Sequence, residues 1–512
     1  MMELMVRRRH VPGRILGAGL AVLALLTSSG VLAQPKTTKD TVSIVMASPV
    51  NSFMQNIQTL NAVGAVAESV LEGLTQFQDE NDELKLEPEL ATSWELVEPK
   101  KWRFHLREGV KFSNGTPFTS ADVLASVKLL VEDKPGTFST LFNKYKLEAP
   151  DDHTVDVTTE VENEFATPMR FSLLRVFPAA LIKELGPEGV GTHPIGTGPY
   201  KVEDFQQGNS LTLVANENWW GPAPQIKKVL IRNVPDAATR ISELQSGNVD
   251  LADFIPTPLA DAIEADPRFR LVVAKTQSRR QLFFNIKSGV TANLKFRQAV
   301  NCAINREELV AAVQRAIPNG GIYSFTETAY DPAFQAYEYN PEKAKALLQE
   351  AGLVNPSVDL HVRSEMEPDK LGAQVIQAQL AAVGIDVHVV VGPGADSIPK
   401  FTAGELDGMY YGQFQSNYPT EDRLFSSHFA EKSSYGVVDG SRAATPIIEK
   451  LKSTSDLDER KALLLEVQKI VLNDEALWAP LYIEPDLHAV TANFHWRPRL
   501  GMKFNFEDAY FE

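Results

Sequence analysis

The stretch that decides the fold is WRFHLREGVKFSNGTPFTSADV, residues 102–123. Trp102-Arg103-Phe104-His105-Leu106 alternates, apolar toward one face and cationic toward the other, which is the period of a half-buried strand. Ser113-Asn114-Gly115-Thr116-Pro117 follows as a turn, with Gly115 where a side chain would crowd the backbone. A helix then opens at Thr119. Thr119 and Asp122 have the spacing of a capping box, and Val123, Val127 and Leu130 form an apolar stripe behind it. Strand, turn and capped helix in close succession predict a mixed α/β protein.

The same grammar continues along the chain. Asp236 is placed to cap a helix that carries Ala237, Ile241 and Leu244 and stops at Gly247. Asn305 and Glu308 have capping-box spacing ahead of Leu309 and Val310. Asn340-Pro341 starts a helix whose inner face is Ala344, Leu347, Leu348 and Ala351, and Gly352 ends it. Between 357 and 391 the pattern is strand (Val358 to Val362), helix (Ala373 to Val383), strand (Ile385 to Val391), a crossover unit of a parallel sheet. No low-complexity linker interrupts these signals, so hinge strands rather than a tether are expected between domains.

The chain has 512 residues, 44% hydrophobic and 23% charged. That length leaves room for two or three globular domains. Residues 1–33 read as a secretory signal: Arg7, Arg8, Arg9 and Arg14, an apolar run from Ile15 to Thr27, and Val31-Leu32-Ala33 at the cut. That run is shorter than the ~20 residues of a membrane span. Gln34 follows the cut, so a lipid anchor has no cysteine to attach to. Without the four arginines and one glutamate of residues 1–33, 46 of 50 basic and 65 of 66 acidic residues remain, a net charge of −19. Such an excess disfavours nucleic acid and anionic membranes as partners. Cys302, the only cysteine, lies in the apolar pattern of the helix begun at Phe296 and excludes a disulfide.

Seven motifs, in order, carry a resemblance. They are Leu71-Glu72-Gly73-Leu74 with Glu87-Pro88-Glu89-Leu90-Ala91-Thr92-Ser93-Trp94; Phe104 through Val123; Gly196-Thr197-Gly198-Pro199-Tyr200; and Asn218-Trp219-Trp220-Gly221. Ser246-Gly247-Asn248-Val249-Asp250, Phe296-Arg297-Gln298-Ala299 with Ala303-Ile304-Asn305-Arg306, and Ala344-Lys345-Ala346-Leu347-Leu348 with Glu350-Ala351-Gly352 complete them. Spread over most of residues 41 to 490, they resemble the peptide/nickel/opine class, family 5, of extracellular solute-binding proteins of ABC importers.

The resemblance implies an α/β fold of two lobes joined by two hinge strands, the periplasmic binding protein (Venus flytrap, class II) arrangement, with an extra domain inserted in the first lobe. The expected division is a signal at 1–33, lobe I from 34–58, 181–276 and 487–512, an inserted domain at 59–180, and lobe II at 277–486. It further implies a monomer in the periplasm that closes on a small polar solute and hands it to ABC permease subunits. Trp94 and Trp102, and with them Trp219 and Trp220, are expected in the core rather than as stacking platforms.

Ligand-facing side chains are expected in three segments: Ser48 to Phe53, with Phe53; Gln277 to Asn285, with Arg279 and Arg280; and Tyr410 to Pro419, with Tyr410, Phe414, Asn417 and Tyr418. Peptide binders of this class carry an aspartate in the third segment, facing the peptide's amino terminus. Asn417 stands at the matching place, with Asp422 as the alternative a small shift away. An amide there forgoes a charge-assisted hydrogen bond of roughly 1 kcal/mol or more. One of Arg279 and Arg280 is expected to grip a ligand carboxylate, since neighbours on a strand face opposite ways.

The nine histidines form no pair at metal-ligand spacing, and His428, nearest the expected cleft, reads as structural. No metal or cofactor is expected. A secreted hydrolase is the rival reading, but the chain has neither a Gly-x-Ser-x-Gly elbow nor a His-Glu-x-x-His motif. A sensor that uses the same cleft is not separated from an importer's binding protein by the sequence.

Overall fold

Arg279–Phe284 is buried along its whole length, with a helix layer on each side of its sheet. The computed structural model to which it belongs describes residues 37–54, 66–80, 83–132, 137–325, 327–364, 366–414, 421–433, 436–499 and 504–512. The signal reading, Asn417 and Tyr418 lie outside the described residues. Residues 36–512 form one compact unit.

Two mixed sheets organise that unit. The first has seven strands in the order Phe269–Ala274, Asp486–Thr491, Leu251–Ala252, Thr41–Met46, Lys228–Asn233, Ser210–Ala215, Tyr200–Gln206. Its centre, TVSIVM, is a β-branched run buried enough to pack on both faces, and it pairs in parallel with Lys228–Asn233 and Leu251–Ala252. The second has six strands in the order Ile317–Pro318, Trp478–Ile483, Arg279–Phe284, Met409–Phe414, Ser357–Arg363, Asp386–Gly392. Here the strand–helix–strand pattern is borne out: Ser357–Arg363 and Asp386–Gly392 are parallel neighbours joined through the helix Glu367–Ala381. A separate four-stranded sheet, from Ala91–Glu98 to Thr154–Thr158, carries the helix Ser120–Glu132 over its own core.

The chain passes between the two large sheets twice. It leaves the first at Ala274 and enters the second at Arg279, then leaves the second at Ile483 and re-enters the first at Asp486. Thr276 Oγ1 donates to the Glu484 carbonyl (2.5 Å) and the Glu484 amide donates to the Ser278 carbonyl (2.9 Å), so the crossings are tied to each other.

Local signals hold with one correction. The Asp236, Asn305 and Asn340 side chains each accept from an amide three residues on, as caps do. Gly247 and Gly352 stop their helices at φ of 75° and 68°, a backbone that glycine adopts without strain. The Asn305–Glu308 box does not close, however. Asn305 Oδ1 accepts from the Glu308 amide, but Gln379 takes the return bond, its Oε1 accepting from the Asn305 amide and its Nε2 donating to the Glu308 carboxylate. A partner from a packed helix outcompetes the local one. Trp94 and Trp102 pack partly buried against the inserted sheet's core. Trp219 and Trp220 are only half-buried, and both indole N–H groups donate to Glu72. The Arg107 guanidinium lies 3.9 Å from the Trp220 ring centre, within cation–π reach.

Candidate functional site

The crossings bound a cavity of about 860 Å³ between the two sheets. One wall is Phe254, Ile255 and Pro256, one residue beyond the parallel strand Leu251–Ala252. The facing wall is Val313 and Gln314 with Leu371 and Gln374 of the helix Glu367–Ala381, and the floor is the return crossing, Glu484, Pro485 and Asp486. Ligands of open α/β sheets settle in such a place, outside the carboxyl ends of parallel strands.

Each wall is held by charge buried within its own element set. Arg240 donates to the carbonyls of Asp253 (2.8 Å), Phe254 (2.7 Å), Val234 (2.8 Å) and Pro235 (2.7 Å), which fastens the first wall from behind. On the floor, Arg280 is the hub. Its Nε and Nη2 donate to Glu484 Oε2 (3.0 and 2.7 Å), and its Nη1 lies 3.0 Å from Asp369 Oδ1. Arg363 then donates to Asp369 Oδ2 through Nε and Nη2 (3.0 and 2.7 Å). Burial works against the Arg280 charge, but Glu484 and Asp369 outweigh it and hold the pKa above the usual guanidinium value.

This arrangement leaves carboxylate oxygen at the cavity. Glu484 commits Oε2 to Arg280 and lines the cavity two residues from Asp486. Asp486 Oδ2 is buried and has no hydrogen-bond partner among the described residues. Burial pushes its carboxyl up to about 7; Asp253 and Glu484 push the same way, while His488 pulls down. His488 itself pairs with Asp253 at 2.9 Å.

The side chains expected in the site divide. Arg279, Arg280, Tyr410 and Phe414 come together on neighbouring antiparallel strands, Arg279 opposite Phe414 and Phe283 opposite Tyr410. Both arginines are 1% exposed, and they engage different partners. Arg279 engages Glu327 with both terminal nitrogens (Nη2 to Oε1, 2.8 Å), and its guanidinium lies 4.9 Å from the Phe414 ring centre. Glu327 also accepts from the Ser324 amide at 2.7 Å. Tyr410 contacts Ser397 Oγ at 3.1 Å and lines a small recess with Arg363, Phe401 and Gln413. Phe53 is apart from these, in the first sheet's core with 0% exposure and its ring edge-on to Phe205. His428 is a core residue, 2.5 Å from Asp439 and stacked on Phe283.

Glu327, Asp369, Glu484 and Asp486 escape sequence reasoning. No motif spacing marks them, because their partners lie 48 residues away for Arg279 with Glu327 and 204 for Arg280 with Glu484. The one available signal is position: Glu484-Pro485-Asp486 sits at the return boundary expected between the lobes.

The cavity lies at the crossings of a two-lobed α/β fold. The chain belongs to the bacterial extracellular solute-binding proteins, family 5, whose model matches residues 85–436. It is 26% identical over 453 residues to heme-binding protein A of Haemophilus influenzae, covering 81% of this chain and 82% of that one. It is 29% identical over 473 residues to the glutathione-binding protein GsiB of Escherichia coli O157:H7, covering 87% and 89%. Its fold matches the periplasmic binding protein DppA of Helicobacter pylori, solved with the peptide STSA, at a TM-score of 0.75 and 23% identity over 93% of this chain and 99% of that one. The chain is the substrate-binding component of an ABC import system, not an enzyme, and proteins of its family work outside the cytoplasm beside ABC permease subunits.

Proposed function

We propose that the cargo is a small polar solute bearing a protonated amine, such as a short peptide, glutathione or an opine-like amino-acid conjugate. The observation that carries this reading is the pair of carboxylates, Glu484 and Asp486, at the floor of the cavity between the sheets. At that floor the Glu484 and Asp486 carboxylates offer an ammonium group charge-assisted hydrogen bonds, and Lys370 on the facing wall sets the opposite charge across the cavity. These two acids take the part of the aspartate that Asn417 replaces in the third expected segment. Asn417 and Tyr418 of that segment are proposed to contact the ligand.

Arg280 then acts on the ligand indirectly, by aiming Glu484, and Arg279, over the Phe414 ring, by holding Glu327. Phe53 supports the loop Ser48 to Ser52 from within the core. The lobes divide at 276/277 and 486/487, with residues 59–180 inserted in the first. The mature protein starts after Ala33 and works as a periplasmic monomer without nucleic-acid partners.

The test is a thermal-shift screen of residues 34–512 against di- and tripeptides, glutathione, opines, acidic sugars and nickel. A ligand at 100 times its Kd adds about 2.7 kcal/mol of stability. Amine-bearing solutes raise Tm and their N-acetylated forms do not. Equal shifts with both forms refute the amine contact, and shifts only with acidic sugars refute the class.

A further inference from the structure

The helix Arg306–Val313 ends on the cavity wall in two consecutive non-glycine residues with left-handed backbone, Gln314 (φ 61°) and Arg315 (φ 52°). Such conformations persist where surrounding contacts over-determine them. One side is fixed by main-chain bonds: the Gln314 amide donates to the Val310 carbonyl (2.8 Å) and the Ala316 amide to the Gln314 carbonyl (2.7 Å). The strand Ile317–Pro318 then joins the return strand at Ile483 and Tyr482.

The other side is fixed across the cleft. Arg315 Nη1 donates to Glu264 Oε1 (3.0 Å) and Nη2 to Glu264 Oε2 (2.9 Å), and Nη2 also reaches Asp261 Oδ1. The Glu264 contact is the two-point fork that guanidinium and carboxylate geometry favours. Asp261 and Glu264 stand three residues apart on one face of the helix Thr257–Glu264, which belongs to the first lobe. The start of that helix, Thr257 and Pro258, lines the cavity opposite Val313 and Gln314.

We infer that Arg315 is a closure clasp, a positioning residue that holds the two lobes together at the rim of the binding cavity by gripping Asp261 and Glu264. The inference stands whatever the ligand is. The clasp stabilises the closed state only to the extent that it is absent from the open one, and so it slows ligand escape rather than changing ligand contacts. Its acids are largely exposed. Salt therefore weakens it: the screening length falls from ~30 Å at 0.01 M to ~3 Å at 1 M.

The test uses ligand-free protein with spin labels at Asn209→Cys in the first lobe and Lys345→Cys in the second, Cys302 being buried. Double electron–electron resonance reads the distance between lobes. The expected result is a population shift to longer distances in Arg315→Gln and a larger one in Arg315→Glu, with the wild type following at high salt. Adding Asp261→Lys and Glu264→Lys to Arg315→Glu restores the short distance. Unchanged distances in both single variants overturn the inference, as does failure of the triple variant to recover while circular dichroism and Tm show it folded. Should Arg315→Glu not fold, Arg315→Gln decides alone through its salt response, which the clasp requires to be flatter than that of the wild type.

Discussion

Replacing Asp486 by asparagine keeps the size of the side chain and removes its charge, and the consequence for stability follows from its surroundings. The carboxyl titrates at 3.8 when free and at about 7 in the folded protein, because burial and its neighbours Asp253 and Glu484 disfavour the anion. Between those values the folded state binds more protons than the unfolded one, so stability falls as pH rises. The stabilising contribution is whole below about pH 3.8 and gone above about pH 7. The interval corresponds to a ceiling of about 4 kcal/mol. Asp486 borders an open cavity and is partly exposed. Solvent screening lowers the expected value to about 1–2 kcal/mol.

Asp486→Asn is therefore expected to be more stable than the wild type by about 1–2 kcal/mol at pH 8 and by less than about half as much at pH 5. Urea unfolding at both pH values, with equal m-values, measures it. Glu72, also raised to about 7 by burial, steepens the pH dependence of both proteins alike and cancels in the difference. A gain that is no larger at pH 8 than at pH 5 refutes the reasoning. So does a loss at both. The same variant loses affinity for amine-bearing ligands, since a group that costs stability where it stands is one that function retains.

Glu327→Gln removes the buried carboxylate that both terminal nitrogens of Arg279 engage. It is expected to cost about 3–5 kcal/mol, measured by urea unfolding. Glu164 is held down to about 2 against its own burial by Arg170 and Lys144. Its contribution is present above about pH 4.5 and lost as pH falls toward 2, so Glu164→Gln flattens the acid limb of the stability curve. Gly412→Ala sets a methyl carbon 2.0 Å from the Phe283 ring. The overpacking lowers stability by about 1–3 kcal/mol, visible as a lower Tm.

What could be read in the chain alone is what its short-range chemistry dictates. A cap needs a side-chain oxygen within three residues of an amide, a stop needs a residue at ease with positive φ, and a crossover unit needs two strands flanking one helix. Asp236, Asn340, Gly352 and the 357–391 unit were legible for that reason. So was the family, because turns such as Gly196 to Gly198 admit few substitutes. A Cβ at Gly196 would lie 1.9 Å from the Val70 carbonyl oxygen, and one at Gly198 2.8 Å from that of Ser69.

The partners of the site were not legible. Arg279 and Arg280 look alike in sequence, two cations on a strand, and either could face a ligand. Only the packing of helix Glu367–Ala381 and of the return crossing against that strand gave Arg280 to Asp369 and Glu484, and only the chain around Ser324 gave Arg279 to Glu327. Even the Asn305 box, local by its spacing, was settled by Gln379 from another helix. A buried charge must be met by whatever group the fold brings near it, whatever its distance along the chain. The residues determined which elements form and where they end; the assembled sheets determined which charges cancel inside and which two acidic residues line the cavity floor.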